Sequence, residues 1–575
     1  ADGLAILGSQ PNACSNCSPG KAETICILTI REIFTDADWV LWGSLNSLIP
    51  SLAEAAPDEF LDAVEKALRL SPCPFDELFA QEGAGVFGRN YLTGLLWALE
   101  DLAWEERYLV RVCVALGELA SHDPGGQWAN RPLNSLTTIL LPWLPQTLAS
   151  VDKREVAVQT LLKEWPDVAW SLIIKLLPRQ SRSSAGSYKP NWRKTIPDSW
   201  KEGVTYQEYW QQASFYAELA VRAAGQDTTR LSELIDNFDS LPSTAFDQLI
   251  AVLASQPISQ LPESQRLLLW EHLTKFTKEH RRFADAEWAL PNSQITRIEN
   301  VAVQLAPASP FNLYRHLFTD NDFDLYEGND DWEDQRKRLQ AQRETAVKEI
   351  FQQSGVDEII RFAESVNSPE KVGQAAGVIE DEVLEHTFLP HFLDIDDNRR
   401  KALASGFILR RYHIKGWEWC DKIDKSGWTP EQIGFLLACL PFIKETWEHA
   451  ARWLGKSEIE YWSRTRANPY QADAELTNAI EKLIQYGRPH AAIECLAHLC
   501  HAKQPIDVKQ CVQALFAALS SNEPIYTMDR YHIVELIKFL QAEPSVDQDD
   551  LFWIEWAYLP LLNPERGAGP KLLET

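Results

Sequence analysis

The sequence has one methionine, few strand-forming runs and no long apolar stretch. A membrane-crossing helix needs about 18 or more consecutive apolar residues, and the absence of such a run excludes one. The best strand-like run, residues 24–30 (TICILTI), is rich in β-branched residues but short and isolated. Because almost no other such run lies between turn signals, we predict an all-α chain.

The ten cysteines of this 575-residue chain are too few for a disulfide framework. Cys113, Cys439 and Cys495 lie in apolar stretches with helical spacing, where cysteine behaves as a small hydrophobic residue. The N-terminus has neither the basic flank nor the apolar core of a signal peptide. Together these features predict a reducing, cytoplasmic location.

The formal net charge of -27 limits the classes of partner. A polyanionic surface is repelled by nucleic acid and by anionic lipid. We therefore expect a protein partner and neither nucleic acid nor a membrane.

Residues 92–147 show the organisation expected of the whole chain. Apolar residues recur at helical spacing in two successive segments: Leu92, Leu95, Leu96, Leu99 and Leu102, then Leu109, Val112, Cys113, Leu116 and Leu119. The second segment stops at HDPGG, because proline and paired glycines end a helix. The pattern recurs with variations but without a strict repeat length. It predicts an irregular α-solenoid of TPR-like antiparallel helical hairpins.

Two changes in composition divide the predicted chain. Residues 179–204 are rich in Ser, Pro and Gly and basic in charge, and residues 319–334 hold eight acids and no base. We predict long loops at both. The predicted organisation is an N-terminal helical region (1–178), the basic loop (179–204), a middle helical region (205–318), the acidic loop (319–334) and a C-terminal helical repeat region (335–575).

Nucleotide-binding and calcium-binding motifs are incomplete. Residues 83–88 (GAGVFG) match G-x-G-x-x-G, but a helical rather than a strand pattern precedes them. Gly455-Lys456-Ser457 has Ala450 where a P-loop needs its first glycine. The aspartates at 320, 322 and 324 begin like a calcium loop, but Leu325 replaces the required glycine, so we expect a solvated acidic loop.

Two groups of possible metal ligands are also incomplete. Cys14, Cys17 and Cys26 supply half of a zinc site. His490, Glu494, His498 and His501 recur on one helical face, which suits metal ligands or an acid–base pair; an amphipathic helix with its polar face in water has the same pattern. We predict no catalytic residue, no cofactor and no metal site. A metal-dependent hydrolase that uses the His490 face is the enzymatic alternative.

The basic loop provides the candidate partner-binding residues. Basic and aromatic side chains interleave there, as in sites that grip phosphate, stack on bases or bind an acidic protein surface: Arg179, Arg182, Lys189, Trp192, Arg193 and Lys194. A mobile solvated loop and an intramolecular tie are the simpler interpretations. Nucleic-acid binding through residues 179–201 is a further alternative. We expect alanine at Arg193 and Lys194 to leave the fold intact.

Several segments resemble a known group of proteins. They are HDPGGQWANRPLNSL, LPWLPQT, NACSNCSPGKAE, FTKEHRRFADAEWALP and LLNPERGAGPKLLE. The chain resembles the long helical region of large bacterial STAND-type NTPases of antiphage defence, whose C-terminal helical repeats sense a phage protein. The resemblance covers most of the chain and implies a sensor portion without the NTPase or effector domains.

The sequence thus predicts a non-catalytic recognition or scaffold region of a larger bacterial defence-type protein. Its expected partner is another protein, such as a phage protein, or other domains of the same polypeptide. The chain begins without methionine and ends in what looks like the start of a helix. We therefore expect a fragment of a longer protein.

Overall fold

A computed structural model describes residues 1–12, 18–81, 83, 90–178, 183–326, 331–472, 476–524 and 528–559. All regular secondary structure in these ranges is helical, and no strand occurs among them. The all-α prediction is therefore confirmed. Residues 24–30, the most strand-like run of the sequence, lie inside a helix, Lys21–Phe34.

The chain divides into two compact units, unit 1 (Ala1–Pro307) and unit 2 (Ala308–Thr575). The predicted division into five segments and the predicted solenoid type stay predictions. No helix among the described residues combines the length and apolarity needed to cross a bilayer.

The helices of unit 1 are α1 (Asp2–Ser9), α2 (Lys21–Phe34), α3 (Trp39–Ser44), α4 (Ile49–Ala55), α5 (Pro57–Leu68), α6 (Pro74–Ala80), α7 (Thr93–Ala103), α8 (Leu109–His122), α9 (Pro132–Leu140), α10 (Val151–Glu164), α11 (Pro166–Leu176), α12 (Tyr206–Ala224), α13 (Thr228–Ile235), α14 (Ser243–Leu253), α15 (Gln256–Ser259), α16 (Glu263–Arg282) and α17 (Asn292–Leu305). A 3-10 turn, Phe238–Ser240, follows α13.

Helices close in sequence pack against one another in unit 1. α8 lies against α7, α9 and α10, and α10 in turn lies against α11 and α12. The apolar stripe predicted for α8 is buried, from Leu109 to Leu119. Near the beginning of the unit, Trp42 stacks on Phe34 with ring centroids 4.4 Å apart and meets the edge of Phe75 at 5.2 Å. These contacts join α2, α3 and α6 into one core.

The helices of unit 2 are α18 (Pro310–Tyr314), α19 (Trp332–Ser365), α20 (Pro369–Ala376), α21 (Glu382–Phe388), α22 (Asn398–Lys422), α23 (Pro430–Ala438), α24 (Lys444–Leu454), α25 (Ile459–Trp462), α26 (Leu476–Gln485), α27 (Pro489–His501), α28 (Val508–Ala518), α29 (Asp529–Ala542) and α30 (Gln548–Tyr558). Short 3-10 turns are Arg315–Leu317, Asp322–Leu325, Gly455–Ser457 and Pro469–Gln471. Two of the longer helices are kinked, α19 at Gly355 and α22 at Gly416.

The contact between α20 and α22 is unusually close because two glycines face the opposite backbone. A Cβ atom at Gly373 would lie 1.9 Å from the carbonyl oxygen of Leu403, and one at Gly406 would lie 2.0 Å from the carbonyl oxygen of Glu370. Neither distance leaves room for a methyl group. The two helix backbones are therefore in direct contact. The third helix of this core, α19, packs against both α20 and α22.

Candidate functional site

The basic loop predicted at 179–204 is described from residue 183 onward, and we call residues 183–204 the strap. Arg179 and Arg182, two of the predicted partner-binding residues, lie outside the described residues. The strap contains no helix and runs along helices of unit 1.

The middle of the strap binds a buried carboxylate. The backbone N–H groups of Asn191, Trp192 and Arg193 donate to the Glu54 carboxylate over 3.0, 2.7 and 2.7 Å. Arg193 Nε also donates to the backbone carbonyl of Glu54 over 2.6 Å. Glu54 is only 1% exposed, so the strap supplies the donors that this charge needs in the interior.

A second carboxyl group lies beside the first. Asp101 on α7 is 2% exposed and interacts with Glu54. Burial raises the pKa of Asp101 to about 9, the charge of Glu54 acts in the same direction, and Arg193 opposes both. Two buried carboxyl groups that share one countercharge favour one proton between them. Asp101 is the group that carries it at neutral pH.

The rest of the strap is tied to α7 through aromatic contacts. Tyr188 stacks on Trp97 at 5.3 Å between ring centroids, and its carbonyl accepts a hydrogen bond from Trp104 Nε1 over 3.0 Å. Lys189 Nζ lies over the rings of Trp104 and Trp200 and pairs with Glu202 at 3.1 Å.

The observed contacts of Lys189, Trp192 and Arg193 are thus intramolecular, as in the tie interpretation. The interpretation as a mobile solvated loop does not describe them. Lys194 remains exposed. Partner binding by the loop stays a prediction.

The predicted polar face of α27 is less exposed than expected. His490 is buried, and its Nδ1 lies 2.8 Å from Oδ2 of the buried Asp529. Burial raises the pKa of Glu494, with a further contribution from Asp529. The expectation that this whole face meets water is therefore wrong for His490. It is buried because α29 packs against α27 and supplies a carboxylate there.

The four candidate side chains of this face have separate neighbours. The ring of His498 meets Tyr470 edge-on at 4.7 Å, and that of His501 stacks on Tyr531 at 5.6 Å. Among the described residues they form no converging group of metal donors. The hydrolase alternative stays a prediction without a geometric basis here.

The structure describes only some of the other candidate residues from the sequence. Cys14, Cys17 and residues 84–88 of the glycine-rich run lie outside the described residues. Cys26 is fully buried in α2. The calcium-like Asp322 does not stand free in water as expected. It accepts hydrogen bonds from Arg343 and Lys371, and both of these cations line a cavity of unit 2.

A cavity of about 610 Å³ lies between α19, α20 and α22 of unit 2. Its charged lining consists of five Arg or Lys side chains and three carboxylates: Arg336, Lys337, Arg343, Lys371, Arg410, Asp322, Glu344 and Glu370. His413 adds an imidazole. The cavity is thus positive overall in a chain whose net charge is -27.

The floor of the cavity is an ion-paired network. Arg343 donates to both oxygens of Asp322, over 2.6 and 3.2 Å, and Lys371 Nζ donates to Oδ1 over 2.7 Å. Burial alone would raise the pKa of Asp322, but these hydrogen bonds outweigh it and lower the pKa. Two cations face one carboxylate, so the floor keeps one positive charge in excess.

The rim carries cations that are weakly paired. Arg336 and Lys337 are 57% and 66% exposed, and their ion pairs with Glu333 and Asp334 on the same helix measure 3.8 to 4.0 Å. Such pairs on a helix surface contribute only about 0.2–0.5 kcal/mol. The two side chains are therefore available to an anionic ligand.

Arg410 lies deeper in the wall. It donates to Glu344 over 2.6 Å, while its buried Nε has no hydrogen-bond partner among the described residues. A buried donor without a partner is uncommon in folded proteins. This geometry suits a carboxylate or phosphate group entering the cavity, because guanidinium groups bind both in forked pairs.

The sequence did not identify this cavity. Arg336, Lys337 and Arg343 lie on a charged helix, and a charged helix usually has a solvated face. Lys371 and Arg410 belong to other helices. Only the packing of α19, α20 and α22 brings the cations together. No family model and no curated protein matches the chain at a significant level.

Proposed function

We propose that this chain is a non-catalytic recognition and scaffold region of a larger, cytoplasmic bacterial defence-type protein. Its binding site is the positive cavity of unit 2, and its ligand there is an acidic segment of a partner protein. The resemblance to the helical sensor region of STAND-type NTPases supports the defence context. The positive cavity is the observation that supports the proposed binding of an acidic segment.

The charge contrast is the main argument for an acidic ligand. Five cations line the cavity against three carboxylates, whereas the whole chain is strongly acidic. Complementary potentials steer encounter and fix orientation between proteins, while like charges suppress wrong partners. An acidic segment is attracted only where the local charge is positive, so the acidic surroundings direct it toward the cavity.

The size of the cavity suits a few side chains. Its volume of about 610 Å³ lies within the range of about 300–1,000 Å³ that is usual for ligand pockets. The paired cations at the floor and the exposed cations at the rim offer successive contacts along an extended acidic segment. A short peptide bearing several carboxylates meets both.

The free cysteines support the cytoplasmic part of the proposal. The cysteines in the described part of the chain are free thiols, and most are buried. Free thiols of this kind are usual in reducing compartments.

A charge-reversal experiment tests the binding site. A fluorescently labelled poly-glutamate peptide serves as the probe, and anisotropy gives the dissociation constant. We expect Arg336→Glu with Lys337→Glu to weaken binding at least tenfold, or about 1.4 kcal/mol. Lys348→Glu with Arg361→Glu is the matched control, because it changes the net charge equally and both residues are exposed on the same helix without lining the cavity.

Two results would contradict the proposal. Equal weakening by the control variant would show a general charge effect rather than a site. Tighter binding of a single-stranded RNA of equal charge, abolished by the same two substitutions, would replace the protein partner by a nucleic acid.

A further inference from the structure

Three donor side chains from two helices meet on the surface of unit 1. Cys73 immediately precedes α6, Asp76 is in the first turn of α6, and His122 is the last residue of α8. One sulfur, oxygen or nitrogen atom from each lies within 4.8 Å of the other two. Asp76 Oδ1 and His122 Nδ1 are 2.7 Å apart.

We propose that Cys73, Asp76 and His122 form a binding site for a divalent transition metal, with Zn²⁺ as the preferred ion. The site lies in unit 1 and is independent of the cavity in unit 2. It departs from the sequence-based expectation of no metal site.

The donor set selects the class of metal. Thiolate, imidazole and carboxylate are the three ligand types that zinc uses in proteins. Mg²⁺ and Ca²⁺ prefer oxygen ligands alone, so a thiol and an imidazole disfavour them. When the metal binds, the Cys73 thiol releases its proton to the buffer, and His122 contributes a nitrogen lone pair.

The three donor side chains differ in exposure to solvent, and this difference suits the entry of a metal ion. Cys73 is 3% exposed, which protects its sulfur from oxidation and water. The side chains of Asp76 and His122 are 48% and 31% exposed. An ion therefore reaches the sulfur from the solvent side, past the carboxylate and the imidazole.

Glu118 is not part of the donor cluster. It precedes His122 by four residues on α8, so both side chains project from the same helix face. The donor atoms that lie within 4.8 Å of one another belong to Cys73, Asp76 and His122. Water would complete the coordination of an ion held by these three ligands, as in zinc sites with an open position.

The donors are distant in sequence, which explains why no motif marks them. His122 follows Asp76 by 46 residues. A bound ion would link the beginning of α6 to the end of α8. Because it binds the folded state, it would raise the melting temperature as its concentration rises above the dissociation constant.

Cobalt titration of the purified full chain tests the site. Co²⁺ bound to a thiolate gives a charge-transfer absorption in the near ultraviolet, and tetrahedral Co²⁺ gives visible d–d bands. We expect both to saturate at one equivalent, to disappear when Zn²⁺ is added, and the melting temperature to rise with Zn²⁺.

Variants assign the ligands. Cys73→Ser should abolish the charge-transfer band, and His122→Ala should weaken affinity by at least the roughly 10–100-fold that removal of an outer-shell partner costs. Glu118→Gln should leave the charge-transfer band in place, because Glu118 is not part of the three-residue cluster. Two controls should leave the spectrum unchanged: Cys14→Ser with Cys17→Ser, which removes the C-x-x-C pair, and Cys500→Ser in unit 2.

The proposal is overturned if no thiolate band forms at one equivalent of Co²⁺, or if the band survives Cys73→Ser and is lost with the C-x-x-C pair. Circular dichroism of each variant without metal checks its fold. If Cys73→Ser does not fold, Asp76→Ala with His122→Ala replaces it, since both side chains are partly exposed. Wild-type affinity in that double variant would equally overturn the proposal.

Discussion

Buried charges in unit 1 are held by a few specific partners. Glu54 depends on three backbone donors of the strap, and Asp101 beside it depends on the proton that its raised pKa retains. Arg154 on α10 is buried too, and it hydrogen bonds to Gln212 over 2.8 Å and also to Glu208. Removing one partner of such a group costs far more than its net contribution suggests, because the other is left buried and unpaired.

The pH dependence of stability should reveal the proton on Asp101. The folded pKa of about 9 lies above the ordinary value of 3.8, so the native state holds a proton that the unfolded state releases. This contribution is complete below about pH 4 and is lost as the pH rises toward 9. We expect Asp101→Asn to flatten the decline by up to about 1.4 kcal/mol per pH unit. Urea unfolding between pH 5 and 9 measures it.

Asp152→Asn serves as the control, since Asp152 is exposed on α10. It should keep the slope of the native protein. If Asp101→Asn also keeps that slope, the proton is not on Asp101.

Arg193 and Lys194 are adjacent but should differ in their effect on stability. The guanidinium of Arg193 binds the carbonyl of Glu54 and lies near two buried carboxyl groups, whereas Lys194 is exposed. We expect Arg193→Ala to cost about 1–3 kcal/mol of unfolding free energy. Lys194→Ala should change it by less than about 0.5 kcal/mol. This revises the sequence-based expectation that both substitutions leave the fold intact.

Denaturant unfolding of the two single variants, compared with the wild type, measures the difference. Proteolysis after Ser183 reports whether the strap has loosened. Equal stabilities of the two variants would show that the Arg193 contacts contribute nothing.

At the scale of helices, the spacing of apolar residues predicts that a helix is present, but it does not predict which other helices it packs against. The stripe of α8 is where the sequence predicts it. The secondary structure of residues 24–30 was ambiguous in the sequence, because β-branched residues occur in both helices and strands. In the structure these residues are helical, and the side chains of Cys26 and Ile30 are buried. Gly355 has a φ of 77°, which is not helical, and it kinks α19 between two helical segments.

The candidate sites were harder to predict for the same reason. The strap was recognised by its basic and aromatic residues, but its contacts with Glu54 depend on residues 137 to 139 positions away. The cavity cations and the Cys73 cluster each combine helices whose order in the chain gives no spacing rule. Local patterns report propensity, whereas a site needs tertiary contacts.

The contact of α20 with α22 should be sensitive to one methyl group. Gly406→Ala would place Cβ 2.0 Å from the carbonyl oxygen of Glu370, and backbone atoms cannot move aside as a side chain can. We expect a loss of about 1–3 kcal/mol or more, since overpacking forces the helices apart. Thermal unfolding monitored by circular dichroism measures it.

Gly3→Ala is the matched control, since a Cβ atom on Gly3 of α1 would meet nothing within 4 Å. It should be neutral or stabilise by about 0.5–1 kcal/mol through helix propensity. A Gly406→Ala protein as stable as this control would mean that α20 and α22 are not in close contact.

At the scale of the whole chain, the two compact units each contain their own core. The core of unit 2 extends from Leu317 to Tyr558. Compact regions with separate cores commonly fold alone. We expect residues 1–307 and 308–575, expressed separately, each to give a helical far-ultraviolet spectrum and a cooperative melt. A fragment that is unfolded alone but folds when mixed with the other would show that the units depend on each other.

The strap has a consequence for the order of events during synthesis. The backbone N–H groups that donate hydrogen bonds to the Glu54 carboxylate lie 137 to 139 residues further along the chain, so they are synthesised later. At about 5–20 residues per second, the ribosome needs roughly 7–30 s to reach them after Glu54 has been made. During that time α4 and α7 must remain hydrated around their carboxyl groups. The interior around Glu54 and Asp101 is therefore completed only when the strap has emerged from the exit tunnel.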